Sequence, residues 1–228
     1  MSKTLYATWL DGDNDQIAEY MGVLRKVPGV GDTAVYQPRP RSDRMQVMQG
    51  LVSRLDAPEM GTAKAWVLAE LEAPVVGLTI TEQVGPHPSG KAVDGPARIV
   101  VNQQLLHEMS YVPGVAETEK REFAPAVQFG ILSTRSVDTE WKLLDWYERL
   151  RLLVVQDVPG MIRTRRYVSI AGIAKFAILY EFLSLQARHD GFEEHHEWRG
   201  ADPHNPWNLR EFALHCPGAP FVGERLDI

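Results

Sequence analysis

Apolar positions along the chain alternate between a period of two and a period near three and a half, and the changes of period divide it into short elements. Residues 4–10, TLYATWL, are aromatic and β-favouring, and DGDND behind them supplies turn residues and a helix N-cap, so a strand leads into a helix. Ile17, Tyr20, Met21, Leu24 and Val27 then fall at i, i+3, i+4, i+7 and i+10, one apolar stripe on an amphipathic helix. Pro28 and Gly29 stop that helix and turn the chain into a second strand near 33–37, TAVYQ. An insertion at 38–62 follows, with a helix-like stretch SDRMQVMQGLVSRL inside it. Beyond it the pattern predicts a third strand at 64–72, a short second helix near 75–83 and a fourth strand at 97–106.

The second half repeats this order more cleanly. AVQFGILSTRS, 126–136, reads as a strand and residues 137–155 as a longer helix with Leu143, Trp146, Tyr147, Leu150 and Val154 along one side. VPGM ends it, and two β-favouring runs, 162–170 and 174–182, meet at Ala171–Gly172 as a hairpin. SLQARHDGFEEHHEW follows as a second helix with Ser184 as N-cap, and LREFALHC, 209–216, as a last strand. Strand, helix, strand, strand, helix, strand is the order of a ferredoxin-like module. The turns GPHPSG at 85–90 and DPHNPW at 202–207 precede the last strand of each half and support a duplication.

This order, with VPGV at 27–30 and VPGM at 158–161 between helix and strand and LYEF at 179–182 in a strand, resembles the dimeric α+β barrel superfamily, EthD-like and small monooxygenase-like proteins among it. The resemblance covers nearly the whole chain and implies an α+β fold. Two tandem ferredoxin-like modules, 1–112 and 126–228 joined by a linker at 113–125, would pack their antiparallel sheets into one α+β barrel. It does not choose an activity, because the superfamily holds cofactor-free monooxygenases, cyclases, isomerases, haem enzymes and stress-responsive proteins. What it implies is a place: an aromatic-lined cleft on one face of each sheet, suited to a mostly apolar ligand.

Composition narrows the partners. The 228 residues are 44% hydrophobic and 24% charged, enough for a substantial core, and the formal net charge of −6 argues against nucleic acid and anionic membranes as partners. The basic patch RPRSDR, 39–44, sits among prolines as a solvated loop. A single cysteine, Cys216, excludes an intrachain disulfide and points to a reducing compartment. With no apolar run of signal-peptide or membrane-helix length, a cytoplasmic protein is expected, with a homodimer as a further possibility.

The segment HDGFEEHHEWRGADPHNPW, 189–207, concentrates candidate chemistry. His189, Glu193 and His196 are spaced by four and three residues and would share a face of an α-helix, where two imidazoles and a carboxylate suit zinc or iron. An exposed acidic helix accounts for the same residues, and no metal or organic cofactor is expected. His195 lies between Phe192 and Trp198 on the apolar side, as a core residue, an acid–base group or an axial haem ligand. His204 is held between Pro203 and Pro206 and could act as general acid or base, and His87 between Pro86 and Pro88 repeats that setting.

Strand positions supply the remainder. Tyr6, Tyr36 and Tyr167 could orient a phenolic or carbonyl substrate, and they join His195 and His204 as the catalytic candidates. Trp9, Arg166, Trp207 and His87 are the substrate-binding candidates, with Arg163 and Arg165 sharing a face next to Arg166. No glycine-rich nucleotide fingerprint and no GxSxG occurs, and Cys216 follows His215 on the opposite face of a strand. The expected function is a small enzyme using His/Tyr acid–base chemistry on a hydrophobic, aromatic metabolite, a lyase or isomerase. The alternatives are a cofactor-independent monooxygenase and a non-enzymatic ligand-binding or stress-responsive protein.

Overall fold

A computed structural model describes residues 4–40, 53–56, 62–84, 95–117, 122–197 and 213–228, with backbone alone at 53–54 and 195–197. The strands are β1 (Thr4–Leu10), β2 (Val30–Pro38), β3 (Ser53–Arg54), β4 (Ala65–Leu71), β5 (Val100–Pro113), β6 (Ala126–Thr134), β7 (Met161–Ala171), β8 (Phe176–Phe182), β9 (Ala213–His215) and β10 (Phe221–Leu226). Eight of them close on themselves in the order β10-β2-β4-β1-β5-β7-β8-β6, with β6 pairing back to β10. Every pairing within this ring is antiparallel. The ring leaves no free edge among those eight, and β9 and β3 extend it outward from β6. The stretches β2-β4-β1-β5 and β7-β8-β6-β10 run in the same relative order.

Strand alternation sorts the side chains into three layers. Leu5, Ala7 and Trp9 of β1, Trp66 and Leu68 of β4, Phe129 of β6 and Leu179 of β8 face the barrel interior, and Phe221 of β10 joins them. Trp9 and Trp66, directly opposite each other across β1 and β4, both stack on Phe129 at centroid distances of 6.0 and 5.9 Å. The interior at this level is therefore a packed aromatic core.

The outward residues of β1 and β4 pack under helices α1 (Asn14–Leu24) and α2 (Pro74–Val84). Those of β6 and β8 pack under α3 (Val137–Trp146), a π-helical turn Tyr147–Arg151, and α4 (Leu152–Val155). A short α5 (Leu185–Ala187) continues into a second π-helical stretch, Arg188–Glu197.

Local signals account for the boundaries. Asp13 caps α1 by accepting from the Gln16 amide while the Gln16 side chain accepts from the Asp13 amide, both at 2.9 Å. Ser136 and Thr139 repeat this box at α3, and Ser184 accepts from the Ala187 amide at 3.1 Å. The two Pro-Gly turns end on glycines in the left-handed region, Gly29 at φ +86° and Gly160 at φ +80°, which lets each chain leave a helix and enter a strand at once.

Three expectations need correction. The helix expected over 137–155 is interrupted by the π turn, and the one after Ser184 is mostly π-helical. Of the last strand, expected at 209–216, the part at 209–212 falls outside the described residues, and Ala213–His215 is a strand that lies outside the ring. The strand that closes the barrel is Phe221–Leu226, which the hydrophobic pattern did not mark. The helix-like stretch within 38–62 falls largely outside the described residues.

Candidate functional site

The two outer layers differ in chemistry. Under α1 and α2 the buried contacts carry no charge, being apolar apart from Thr4, Tyr6, Thr8 and Tyr20. Under the second pair of helices the layer holds Arg151, Arg166, Arg188, Glu193 and Gln128 as well as Tyr147 and Tyr180, all buried. Buried charge is costly unless it is held, so its concentration in one layer, beside two π-helical stretches, marks this layer as the candidate site.

Arg166 leaves β7 on the outward side. Its guanidinium lies 5.9 Å from the Tyr147 ring centre and its Nη2 donates to Glu148, half exposed on the π turn. Its Nε and Nη1 are buried without an acceptor among the described residues. Arg151, one turn further along, stands in an aromatic box, 4.8 Å from Phe192, 5.6 Å from Tyr180 and 5.9 Å from Trp146, with Nε donating to the Tyr180 hydroxyl at 3.4 Å. Burial first, and then the neighbouring Tyr180 hydroxyl, push the Tyr147 phenol well above its ordinary range, while Arg151 and Arg166 pull it down. Tyr147 is therefore a neutral hydrogen-bond donor at physiological pH. Together this buried layer offers two guanidinium groups and two phenols against a wall of rings, a set of donors that suits an aromatic molecule with an oxygen that gains negative charge.

Of the catalytic and substrate-binding candidates read from the sequence, only Arg166 stands in this layer among those described, and Glu193 of the metal trio lies in it as well. Tyr6 faces the first helix pair, where its hydroxyl donates to Gln103 Oε1 at 2.7 Å. Trp9, Tyr36 and Tyr167 face the barrel interior. The Tyr36 hydroxyl donates to the Ala124 carbonyl at 2.8 Å, and the Tyr167 hydroxyl has no hydrogen-bond partner among the described residues. The five candidates are thus divided among three layers and do not form one constellation.

The trio His189, Glu193 and His196 assumed α-helical spacing, but in a π-helix the residue above i is i+5. The contacts follow that rule: Arg188 pairs with Glu193, and His189 lies 3.9 Å from Glu194. Glu193 is buried against Arg188, which also donates to Gln128, whereas the half-exposed His189 contacts Asp190 at 3.0 Å. They do not share a ligand face, and among the described residues no group of three His, Cys, Asp or Glu is placed to hold a metal ion. The side chains of His195 and His196, and all of His87, His204 and Trp207, lie outside the described residues. Tyr180, Arg151 and Phe192 were not singled out for a site, although Tyr180 in LYEF alternates with inward Glu181 and so had to face the helices.

Comparison with known proteins finds no matching family model and no matching curated protein. Solved structures do match over the whole chain. An anthrone oxidase-like protein superposes with a TM-score of 0.59 at 11% identity, covering 100% of this chain and 94% of its own. A chlorite dismutase variant from Candidatus Nitrospira defluvii gives 0.52 at 12%, covering 99% and 92%. A provisionally named monooxygenase from Fusobacterium nucleatum subsp. nucleatum gives 0.50 at 8%, covering 98% and 91%. At such identities the likeness is one of fold alone, a closed antiparallel eight-stranded barrel with helices outside it.

Proposed function

We propose that the chain is a cofactor-independent monooxygenase acting on a hydrophobic, enolisable aromatic molecule bound between the β7–β8–β6 face and the second helix pair. The observation that carries this reading is Arg166, whose Nε and Nη1 are buried beside Tyr147 with no acceptor among the described residues. Two such donors, with Tyr147 and Tyr180 nearby, favour the enolate over the neutral substrate and so lower the cost of removing the substrate proton. Glu148, bonded to Arg166 and half exposed, takes that proton and returns it to the departing oxygen. The carbanion then reduces oxygen: one oxygen atom becomes a new carbonyl on the substrate, and the other leaves as water with the two hydrogens of the oxidised methylene. Fold relatives described as anthrone oxidase-like and as a monooxygenase support this chemistry over the lyase or isomerase reading.

In this proposal the barrel is built by two tandem ferredoxin-like modules, 1–112 and 126–228, joined by a linker at 113–125. The repeated strand order supports it. The second module carries the site, and the protein works in the cytoplasm, with a homodimer possible.

The test is oxygen uptake by the purified protein with anthrone as probe, measured above its spontaneous autoxidation. Uptake that falls at least tenfold in Arg166→Gln, with the fold intact by circular dichroism, is the expected result. Product formation that persists without oxygen would return the lyase or isomerase reading. Binding without turnover would leave a ligand-binding protein.

A further inference from the structure

Arg165 and Tyr167 lie on the inward face of β7 and hold donors that no acceptor among the described residues meets. The Arg165 Nη1 donates to Glu70 at 2.7 Å, and its Nε lies 2.9 Å from Glu181. Its Nη2 is buried without an acceptor among the described residues, as is the Tyr167 hydroxyl two residues along the same face. Glu181 is fully buried and engaged by Arg163 at 2.7 and 2.9 Å and by the Ala124 amide at 3.3 Å, so it cannot turn to serve Nη2. Glu70 differs: its side chain is 29% exposed, at the end of β4, and one hydrogen bond holds it.

We propose that this end of the barrel is a binding site for a small aromatic carboxylate, separate from the layer around Arg166, and that Glu70 is its built-in occupant. A ligand carboxylate in place of Glu70 would bridge Nη1 and Nη2 in the two-point geometry that guanidinium favours, whereas Glu70 meets only Nη1. The Tyr167 hydroxyl is the next donor along the strand. Phe123, 5.3 Å from the Arg165 guanidinium carbon, and the inward Leu5 and Leu106 offer apolar surface to the ring.

Charge selects the exchange. Arg163, Arg165 and Arg225 face Glu70, Glu108 and Glu181 at this end, and Asp32 stands beside Phe123. A ligand anion adds no further negative charge only when the exposed carboxylate swings out to water. A neutral ketone would instead leave Glu70 in place and find only one guanidinium nitrogen.

The experiment is titration of the full chain with benzoate by isothermal calorimetry. Removing the competing carboxylate in Glu70→Ala is expected to tighten binding about tenfold or more. Tyr167→Phe is expected to weaken it severalfold, and Arg165→Gln to abolish it. A misfolded variant cannot gain affinity, so the Glu70→Ala result stands even if Arg165→Gln fails to fold. Equal affinity in Glu70→Ala and the unmodified chain, or no binding in either, overturns the proposal. The gain in benzoate affinity of Glu70→Ala should persist when Arg166→Gln is added, and Glu70→Ala should leave oxygen uptake unchanged, which separates this site from the oxygenase reading.

Discussion

Arg165 and Arg166 are consecutive residues whose guanidinium groups stand on opposite sides of one sheet. Arg165 points into the barrel toward Glu70 and Glu181, and Arg166 points under the helices toward Tyr147 and Glu148. Their substitutions should therefore separate stability from activity. Arg166 pairs with one half-exposed carboxylate, whereas Arg165 pairs with the fully buried Glu181, so Arg166→Gln is expected to cost less stability than Arg165→Gln while lowering oxygen uptake. Denaturant unfolding of the two glutamine variants, side by side with uptake, checks this. A large stability loss in Arg166→Gln would make that residue a structural pillar.

Glu181 is the carboxylate on which the inward network depends. Burial alone would raise its pKa, but Arg165 and Arg163 outweigh that and hold it below the ordinary carboxylate value. A group depressed in this way contributes stability above its unfolded pKa and loses it as pH falls through the folded one. Glu181→Gln should thus cost about 3–5 kcal/mol at neutral pH, because two buried arginines lose their shared partner. The same variant should lose less stability between pH 5 and pH 3 than the unmodified chain. Urea unfolding at a series of pH values measures both effects.

Five tyrosines should resist ionisation until the protein unfolds. Burial raises Tyr6, Tyr36, Tyr147 and Tyr167 well above the ordinary phenol value and pushes Tyr20 up to about 12. Because these folded values exceed the unfolded ones, their contribution is complete below the unfolded pKa and is lost as pH rises toward the folded pKa. Phenolate absorbance about one unit above the ordinary value should therefore report no more than two of the seven tyrosines in the native protein, and all seven in denaturant. Early appearance of most of the signal would mean that the layers admit solvent.

Much of the scaffold was legible because its signals are local. The strand expected at 4–10 is Thr4–Leu10, and the one expected at 64–72 is Ala65–Leu71. The common face of Arg163 and Arg165 also followed from strand alternation. The closing strand Phe221–Leu226 was not legible, since its place is set by pairing with Tyr36 and Phe129, far off in sequence. The same limit hid the site. Alternation gives two faces to Tyr6 and Tyr36, but which face is barrel and which is helix-covered is settled only when all eight strands close.

The π-helical stretch Arg188–Glu197 gives the sharpest separation between spacing and contact. Read as an α-helix, it put His189 beside Glu193 and made a ligand pair; as a π-helix it puts Arg188 over Glu193 and leaves His189 half exposed. His189→Ala should therefore shift stability by no more than about 0.5 kcal/mol, the range of an ordinary surface substitution. Glu193→Ala should cost distinctly more than His189→Ala, because it removes a buried carboxylate that pairs with the buried Arg188 guanidinium. Restoring α-helical register would reverse this order, making His189 the costly position in the presence of zinc and Glu193 its equal partner. Thermal unfolding of the two variants with and without added zinc decides between them, and a zinc-dependent stabilisation lost in His189→Ala would overturn the π-helical account.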